Sequence, residues 1–312
     1  MATPHDVLPS ALSAPPPEDD PVIVPRRRPG RTAAAVAALL VVGLLLRSVA
    51  RNPAFQWDVV GSYLTSTAIV HGLLLTLWLT AAVMVLGFAI GTVLAVALLS
   101  GNPVLSGLSR GYVWIFRATP VLVQLLFWFN IGALYPTLSL GLPYGPQLFS
   151  LHTVDLLGPT VTAVIGLTLH EAAFAAEVVR GGLLSVDQGQ LEAAQSLGLR
   201  RLRVLRRIVV PQAMRTIVPT AGNMLIGTLK GTSIVSVLAV HDLLFSAQLI
   251  YNQTYQVIPL LLVATLWYIA VTSLLSIGQY YVERRFARGH SRGELPPTPY
   301  ARLRAALKGA RR

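Results

Sequence analysis

The chain has 312 residues, 54% of them hydrophobic and 12% charged, with a mean hydropathy of +0.61. A soluble domain carries about 25% charged residues, so an ordinary cytoplasmic enzyme is excluded, as is a disordered chain, which needs low hydrophobicity. The absence of cysteine excludes a disulfide scaffold, a thiolate metal site and a cysteine nucleophile, while the formal net charge of +12 points to nucleic acid or membrane, depending on where the charges sit.

Residues 1–31 are Pro-rich and mixed in charge, and are expected as a disordered tail. Beyond them, no Asp, Glu, Lys or Arg occurs over 59–109, 118–154, 156–170 or 243–282. A spanning helix needs about 20 mostly apolar residues. The runs are continuously apolar, as in LLLTLWLTAAVMVLGFAIGTVLAVALL from Leu73, where a membrane barrel alternates. The expectation is therefore an all-α membrane protein with six transmembrane helices, over 32–50, 72–99, 111–135, 158–179, 213–239 and 257–282. The corresponding domains are a tail (1–31), an N-terminal anchor (32–50), an extracytoplasmic linker (51–71), a membrane domain (72–288) and a basic tail (289–312).

Positive charge orients the spans. The segment RRRPGR, Arg110, Arg180, the cluster Arg200, Arg201, Arg203, Arg206 and Arg207, and the arginines from Arg284 onward fall on one side; Arg51, Asp58, Asp155 and Asp242 fall on the other. The first set marks the cytoplasm, and the even count places both termini there. The cations thus sit beside membrane spans, which argues for lipid headgroups and against nucleic acid. Two readings of the first span stand: an anchor whose Arg47 snorkels to the far interface, or a signal peptide cleaved after the Ser-Val-Ala at 48–50. The last stretch, YARLRAALKGARR, reads either as a solvated tail or as a basic amphipathic helix on anionic lipid.

The loop between the fourth and fifth spans is SVDQGQLEAAQSLGLRRLRVLRRIVVPQAMR. Asp187 followed three residues later by Gln190 reads as an N-cap with a capping box, predicting a short helix over 188–197. Gly198 fits its left-handed C-terminal position. A second helix over 199–209 puts Leu202, Leu205 and Ile208/Val209 on one face and its arginines on the other, and Pro211 is expected to break it. Such a capped element suits a docking surface for a soluble partner, or an interfacial hairpin held by its arginines.

The segment EAAQSLGLRRLRVLRRIVVP resembles the EAA signature of ATP-binding-cassette (ABC) importer permeases: Glu-Ala-Ala, three residues, Gly, nine residues, Ile, one residue, Leu, Pro. Glu192, Ala193, Ala194, Gly198, Ile208 and Pro211 stand at that spacing, with Val210 in place of Leu. The flanks AAEVVRGGLLSVDQGQLEAA, IVVPQAMRTIVPTAGNMLIGTLKGTSIVSV and RATPVLVQLLFW are similar to the polar amino acid branch, and the similarity runs over about 52–288. Two departures lie inside the membrane, HEAAF at 170–174 and KGTS at 230–233. The resemblance implies a five-helix type I importer core plus one N-terminal helix, in a bacterial inner membrane. It implies that the EAA helix is a cytoplasmic coupling helix seated on ABC ATPase subunits, with a second permease subunit, identical or related, and an extracytoplasmic solute-binding protein as the other partners. This chain has no G-x-x-x-x-G-K-[ST] phosphate loop, so it binds no cofactor itself, and ATP and Mg belong to the partner ATPase.

Ionisable groups at membrane depth are functional candidates. His170 and Glu171 lie about 18–20 Å below the outer end of the fourth span, near the midplane where transporter sites tend to be. Glu171 reads as a ligand for a substrate's amino group or cationic side chain, or as a carboxylate neutralised by burial or pairing; His170 reads as a structural hydrogen-bonding group or a proton relay. Glu177 and Arg180, three residues apart, suit a structural ion pair. Lys230 either snorkels outward or, with Thr232, Ser233 and Asn223, lines the path. The rival functions are a proton-coupled secondary transporter and an intramembrane enzyme, each using His170 and Glu171. Neither accounts for the capped loop.

Overall fold

The computed structural model describes residues 29–141 and 147–287. The tails expected over 1–31 and 289–312 lie outside the described residues, except that the first helix already begins at Pro29. Helix α1 (Pro29–Arg51) is a unit of its own. Its 23 residues reach about 34 Å at 1.5 Å each, enough to cross a bilayer.

The second unit runs from Pro53 onward. It contains α2 (Trp57–Leu64), α3 (Thr67–Leu98), α4 (Pro103–Ala118), α5 (Val121–Phe129), the single turn α6 (Ile131–Leu134), strands β1 (Thr137–Gly141) and β2 (Gln147–His152), the turn α7 (Thr153–Leu156) and α8 (Pro159–Leu184). These are followed by α9 (Gln188–Ser196), α10 (Arg201–Val204), α11 (Val210–Gly231), α12 (Leu243–Thr254) and α13 (Val257–Ala287). Helices α1, α3, α8 and α13 are each long and apolar enough to span alone. Six spans result when the bent pairs α4–α5 and α10-to-α12 each count as one.

Arg117, Thr119 and Pro120 predict a break near the inner end of the third span, 111–135, and the break is there: α4 and α5 meet at 103°. Pro120 has no N–H to continue the helix and forces Thr119 into extended backbone (φ −104°, ψ 139°). The carbonyls left open are met by Gln124, whose Nε2 lies 2.9 Å from Phe116 O and 2.9 Å from Thr119 O. Other elements differ from expectation. The linker over 51–71 contains α2 and the first turn of α3. The β1–β2 hairpin, antiparallel with Thr137 opposite His152, adds a small sheet to an otherwise helical chain. Its first strand, TLSLG, alternates in the two-residue period of a strand, a signal that the surrounding charge-free run conceals.

The packing of the bundle is set by residue volume. Helix α3 is apolar on every side, so hydropathy selects no face. Its buried stripe is Thr76, Thr80, Val83, Gly87, Gly91 and Ala95. Gly91 lies so close to α8 that an added Cβ would sit 2.7 Å from the Ala175 Cβ and 2.8 Å from Ala176 N. Ala172, Ala173, Ala175 and Ala176 on α8 are all fully buried. Small residues let two backbones approach where lipid supplies no hydrophobic drive. Above this contact α11 tightens into a 3₁₀ turn (Thr232–Leu238) that ends at Ala239 in the left-handed region, φ 56°. Helix α12 then starts on Asp242, whose carboxylate accepts from Phe245 N at 2.8 Å. Leu243 N donates to Thr76 Oγ1 at 3.0 Å and fixes this start to α3.

Candidate functional site

The loop below the bundle is built as its caps predict. Asp187 Oδ1 accepts from Gln190 N at 3.2 Å to open α9. Gly198 closes it at φ 65°, with Leu199 N donating to Ala194 O at 3.2 Å. That is the six-to-one bond of a Schellman end, which favours glycine. One side of α9 is anchored: Ala194 is buried, and Leu191 packs with Val186, Val179 and Ala213. The other side is open, with Glu192, Ala193 and Gly198 exposed and Leu197 77% exposed.

The second half of the loop departs from the predicted helix–break–span arrangement. Arg201–Val204 leads through a π-helical turn, Leu205–Val209, straight into α11. Pro211 stands in the first turn of α11 and does not stop the chain, because a proline there lacks only an N–H that the preceding wide turn leaves without its usual acceptor. Ile208 is half-buried and Pro211 exposed. The arginines are thus continuous with the span.

A second place of interest lies halfway along α8. His170 and Glu171 line a cavity of about 270 Å³ together with Phe174, Met224, Gly227 and Thr228. Glu171 Oε1 accepts a 2.6 Å hydrogen bond from Thr228 Oγ1, which is also 2.9 Å from the Met224 carbonyl. Among the described residues no Lys or Arg lines the cavity. Among the described residues no hydrogen bond joins His170 to Glu171, and the buried Nδ1 of His170 has no partner. The imidazole packs against Phe174 with the rings tilted at 45° and 5.0 Å between centroids. The carbonyl just before His170, that of Leu169, accepts from the Tyr112 hydroxyl at 2.7 Å and ties α4 to α8 at this level.

The remaining candidates lie elsewhere. Asn223 and Lys230 are exposed and outside the cavity lining. Thr232 is fully buried and donates to Leu229 O at 2.7 Å, and Ser233 donates to Lys230 O at 2.7 Å, so both hydroxyls serve their own helix. Glu177 and Arg180 form the expected pair, with Arg180 Nη2 at 2.7 Å and Nε at 3.2 Å from Glu177 Oε2. The sequence reading missed Thr228 and Phe174. The spacing of Met224, Gly227, Thr228 and Gly231 on one face of α11 was the available signal. A carboxylate held at membrane depth by one neutral donor, in a cavity without a fixed cation, can stabilise a mobile cation there, since an unpaired charge in low dielectric is costly.

Residues 87–288 match the family model described as "Binding-protein-dependent transport system inner membrane component". The arginine transport system permease protein ArgU of Corynebacterium glutamicum is 43% identical over 264 residues, covering 84% of this chain and 80% of that one. The L-cystine transport system permease protein TcyL of Bacillus subtilis is 32% identical over 240 residues, 77% of this chain and 95% of that one. Among solved structures, an amino acid ABC transporter crystallised with histidines superposes with a TM-score of 0.59 at 30% identity, over 70% of this chain and 94% of that one. The MetNI methionine ABC transporter in an inward-facing conformation gives 0.55 at 20% identity, over 70% and 96%, a likeness of fold alone.

Proposed function

The chain belongs to the family of binding-protein-dependent transport system inner membrane components, and we propose that the solute it passes is a basic amino acid whose cationic end is held at Glu171. It is the membrane-spanning permease subunit of an ABC importer for amino acids. Its work is alternating access, two arrangements of one bundle biased by a partner. The observation that carries the substrate class is the Glu171 carboxylate, lining a cavity that contains no fixed cation and accepting from Thr228. The name of the arginine permease relative supports the same class.

The exposed side of α9, with Glu192, Ala193 and Leu197, is where a separate ATPase subunit docks, and Ala194 and Gly198 give the helix its seat and its end. The continuous run from Arg201 into α11 transmits the push, and the Glu177–Arg180 pair steadies the lower end of α8. ATP and Mg stay with the ATPase. A second permease subunit, of this chain or a sister chain, completes the pathway, and an extracytoplasmic binding protein delivers the solute. Both termini are cytoplasmic, and α1 remains as the anchor. The proton-relay alternative through His170 and Glu171 finds no support in the family, and the two side chains share no hydrogen bond among the described residues.

The test is uptake by the chain reconstituted with its ATPase and binding protein. Labelled arginine enters only with ATP, and at low arginine concentration Glu171→Gln loses most of that uptake while still assembling. Glutamate carried in preference to arginine overturns the substrate class, and uptake by the purified chain without an ATPase overturns the coupling.

A further inference from the structure

Phe174 belongs to two cavities. It lines the central one with Glu171 and Thr228, and it also lines a second of about 430 Å³ together with Arg110, Trp114, Arg117 and Glu177. Glu177 follows Phe174 by one turn of α8, toward the coupling loop, so the second cavity lies on the cytoplasmic side of the first. The ring is held by neighbours from two helices. The His170 imidazole lies 5.0 Å away at 45°, and the Arg117 guanidinium carbon is 5.4 Å from the ring centroid.

Arg117 is the last full turn of α4, just before the Thr119-Pro120 break. Its side chain is exposed, and Glu177, the acid in the same cavity, is already engaged in two contacts by Arg180. Its guanidinium lies over the face of Phe174. A guanidinium over an aromatic face is attracted by the ring quadrupole, strongly enough to bias a rotamer and weakly enough to release it. The ring is common to the walls of both cavities, so a turn about its first side-chain torsion is the motion that would join them without moving a helix.

Resting on the assignment of the central cavity as the substrate site, we propose that Phe174 is the inner gate of the translocation path and that Arg117 is the latch that keeps its ring across it. Arg117 is a positioning residue here, since it acts on the path through Phe174.

The chain has no cysteine of its own, so an introduced thiol is the only one on this polypeptide, and labelling is read on this chain after the subunits are separated by denaturing electrophoresis. Gly227 lines the central cavity, and nothing lies within 4 Å of where its Cβ would be, so G227C fits without strain. The full transporter, purified through this chain and placed in inside-out vesicles, is treated with a charged, membrane-impermeant thiosulfonate at the cytoplasmic face. Labelling of the G227C thiol is expected to rise about tenfold or more with Phe174→Ala and severalfold with Arg117→Gln, and to stay at the parent rate with Phe174→Tyr. Arg117 is exposed, so R117Q carries the test where F174A fails to assemble. Parent-rate labelling in both F174A and R117Q overturns the gate. Arginine added to the parent reads the other assignment: protection of the thiol supports the central cavity as the substrate site, and no protection overturns that site independently of the gate result.

Discussion

The Glu171 carboxylate on α8 and the Thr228 hydroxyl on α11 meet at 2.6 Å across the middle of the bundle. The pair joins a helix that packs on α3 to the helix that rises out of the coupling loop. On the proposed function it therefore links the substrate site to the loop that the ATPase moves. A bond from a neutral donor orients a carboxylate without cancelling its charge, which leaves the charge for a ligand.

The two members of the pair are predicted to fail differently. Glu171→Gln removes the charge and raises KM for arginine by about 10–100-fold, the loss of roughly 1.5–3 kcal/mol that a hydrogen bond to a charged group contributes. Thr228→Val keeps the charge and removes the donor that aims it, so a smaller rise in KM, about 3–10-fold, is expected, from the roughly 1 kcal/mol of an ordinary hydrogen bond. Uptake kinetics in proteoliposomes separate the two. Equal effects from both variants count against a ligand role for the carboxylate.

The close approach of α3 and α8 makes a prediction about stability. Gly91→Ala places a methyl 2.7 Å from Ala175 Cβ and 2.9 Å from the Ala172 carbonyl. Backbone cannot yield as a side-chain tip does, so the cost is about 1–3 kcal/mol. Gly278→Ala, in α13 with nothing within 4 Å, is the control. It gains about 0.5–1 kcal/mol of helix preference and should leave melting unchanged or raised. Thermal melting of the detergent-solubilised protein reads both, and a G91A protein as stable as G278A removes the steric account of this crossing.

At the α4–α5 break, Gln124 is buried and its Nε2 also lies 2.7 Å from Thr119 Oγ1. Gln124→Leu keeps the volume and strands the carbonyls of Phe116 and Thr119. An unmet buried acceptor costs about 1–3 kcal/mol. We expect a lowered melting temperature and, because Arg117 and Phe116 lie beside the break, a loss of uptake larger than the loss of folded protein. Full uptake at wild-type melting temperature would show the break to be held by Pro120 alone.

What the sequence made legible was what is local. Asp187, Gln190 and Gly198 specify both ends of α9 within a dozen residues, and the charge-free runs locate the spans. Pro120 marks a break, although its 103° angle depends on how α5 packs against α8. Pro211 reads as a helix breaker, but it falls in the first turn of α11 after a π turn, where its missing N–H leaves no usual bond unmade. The Glu171–Thr228 pair joins residues 57 positions apart, so no window along the chain contains it. Lys230 stands out in the sequence because it is charged. The helical period puts Thr228, two residues before it, on the face that meets α8.

The coupling loop carries the last prediction. Gly198 has nothing within 4 Å of an added Cβ, so a substitution there is penalised by backbone conformation and not by crowding. At φ 65° an alanine costs about 1 kcal/mol and a β-branched residue more. Gly198→Val should open the Schellman end, free Leu199 N–H from Ala194 O and let the exposed side of α9 turn away from its partner. Glu192→Lys leaves the helix intact and reverses the charge on that side. Neither residue is inside a span, so both variants insert into membranes at normal levels. They should retain less than about a tenth of the ATPase subunit on co-purification, which corresponds to roughly 1.4 kcal/mol or more of lost docking energy. A conservative Glu192→Gln variant should keep most of the ATPase, because backbone approach at Ala193 and Gly198 is untouched. Were G198V and E192K both to retain the ATPase and transport normally, the force that moves the bundle would have to enter at some other surface.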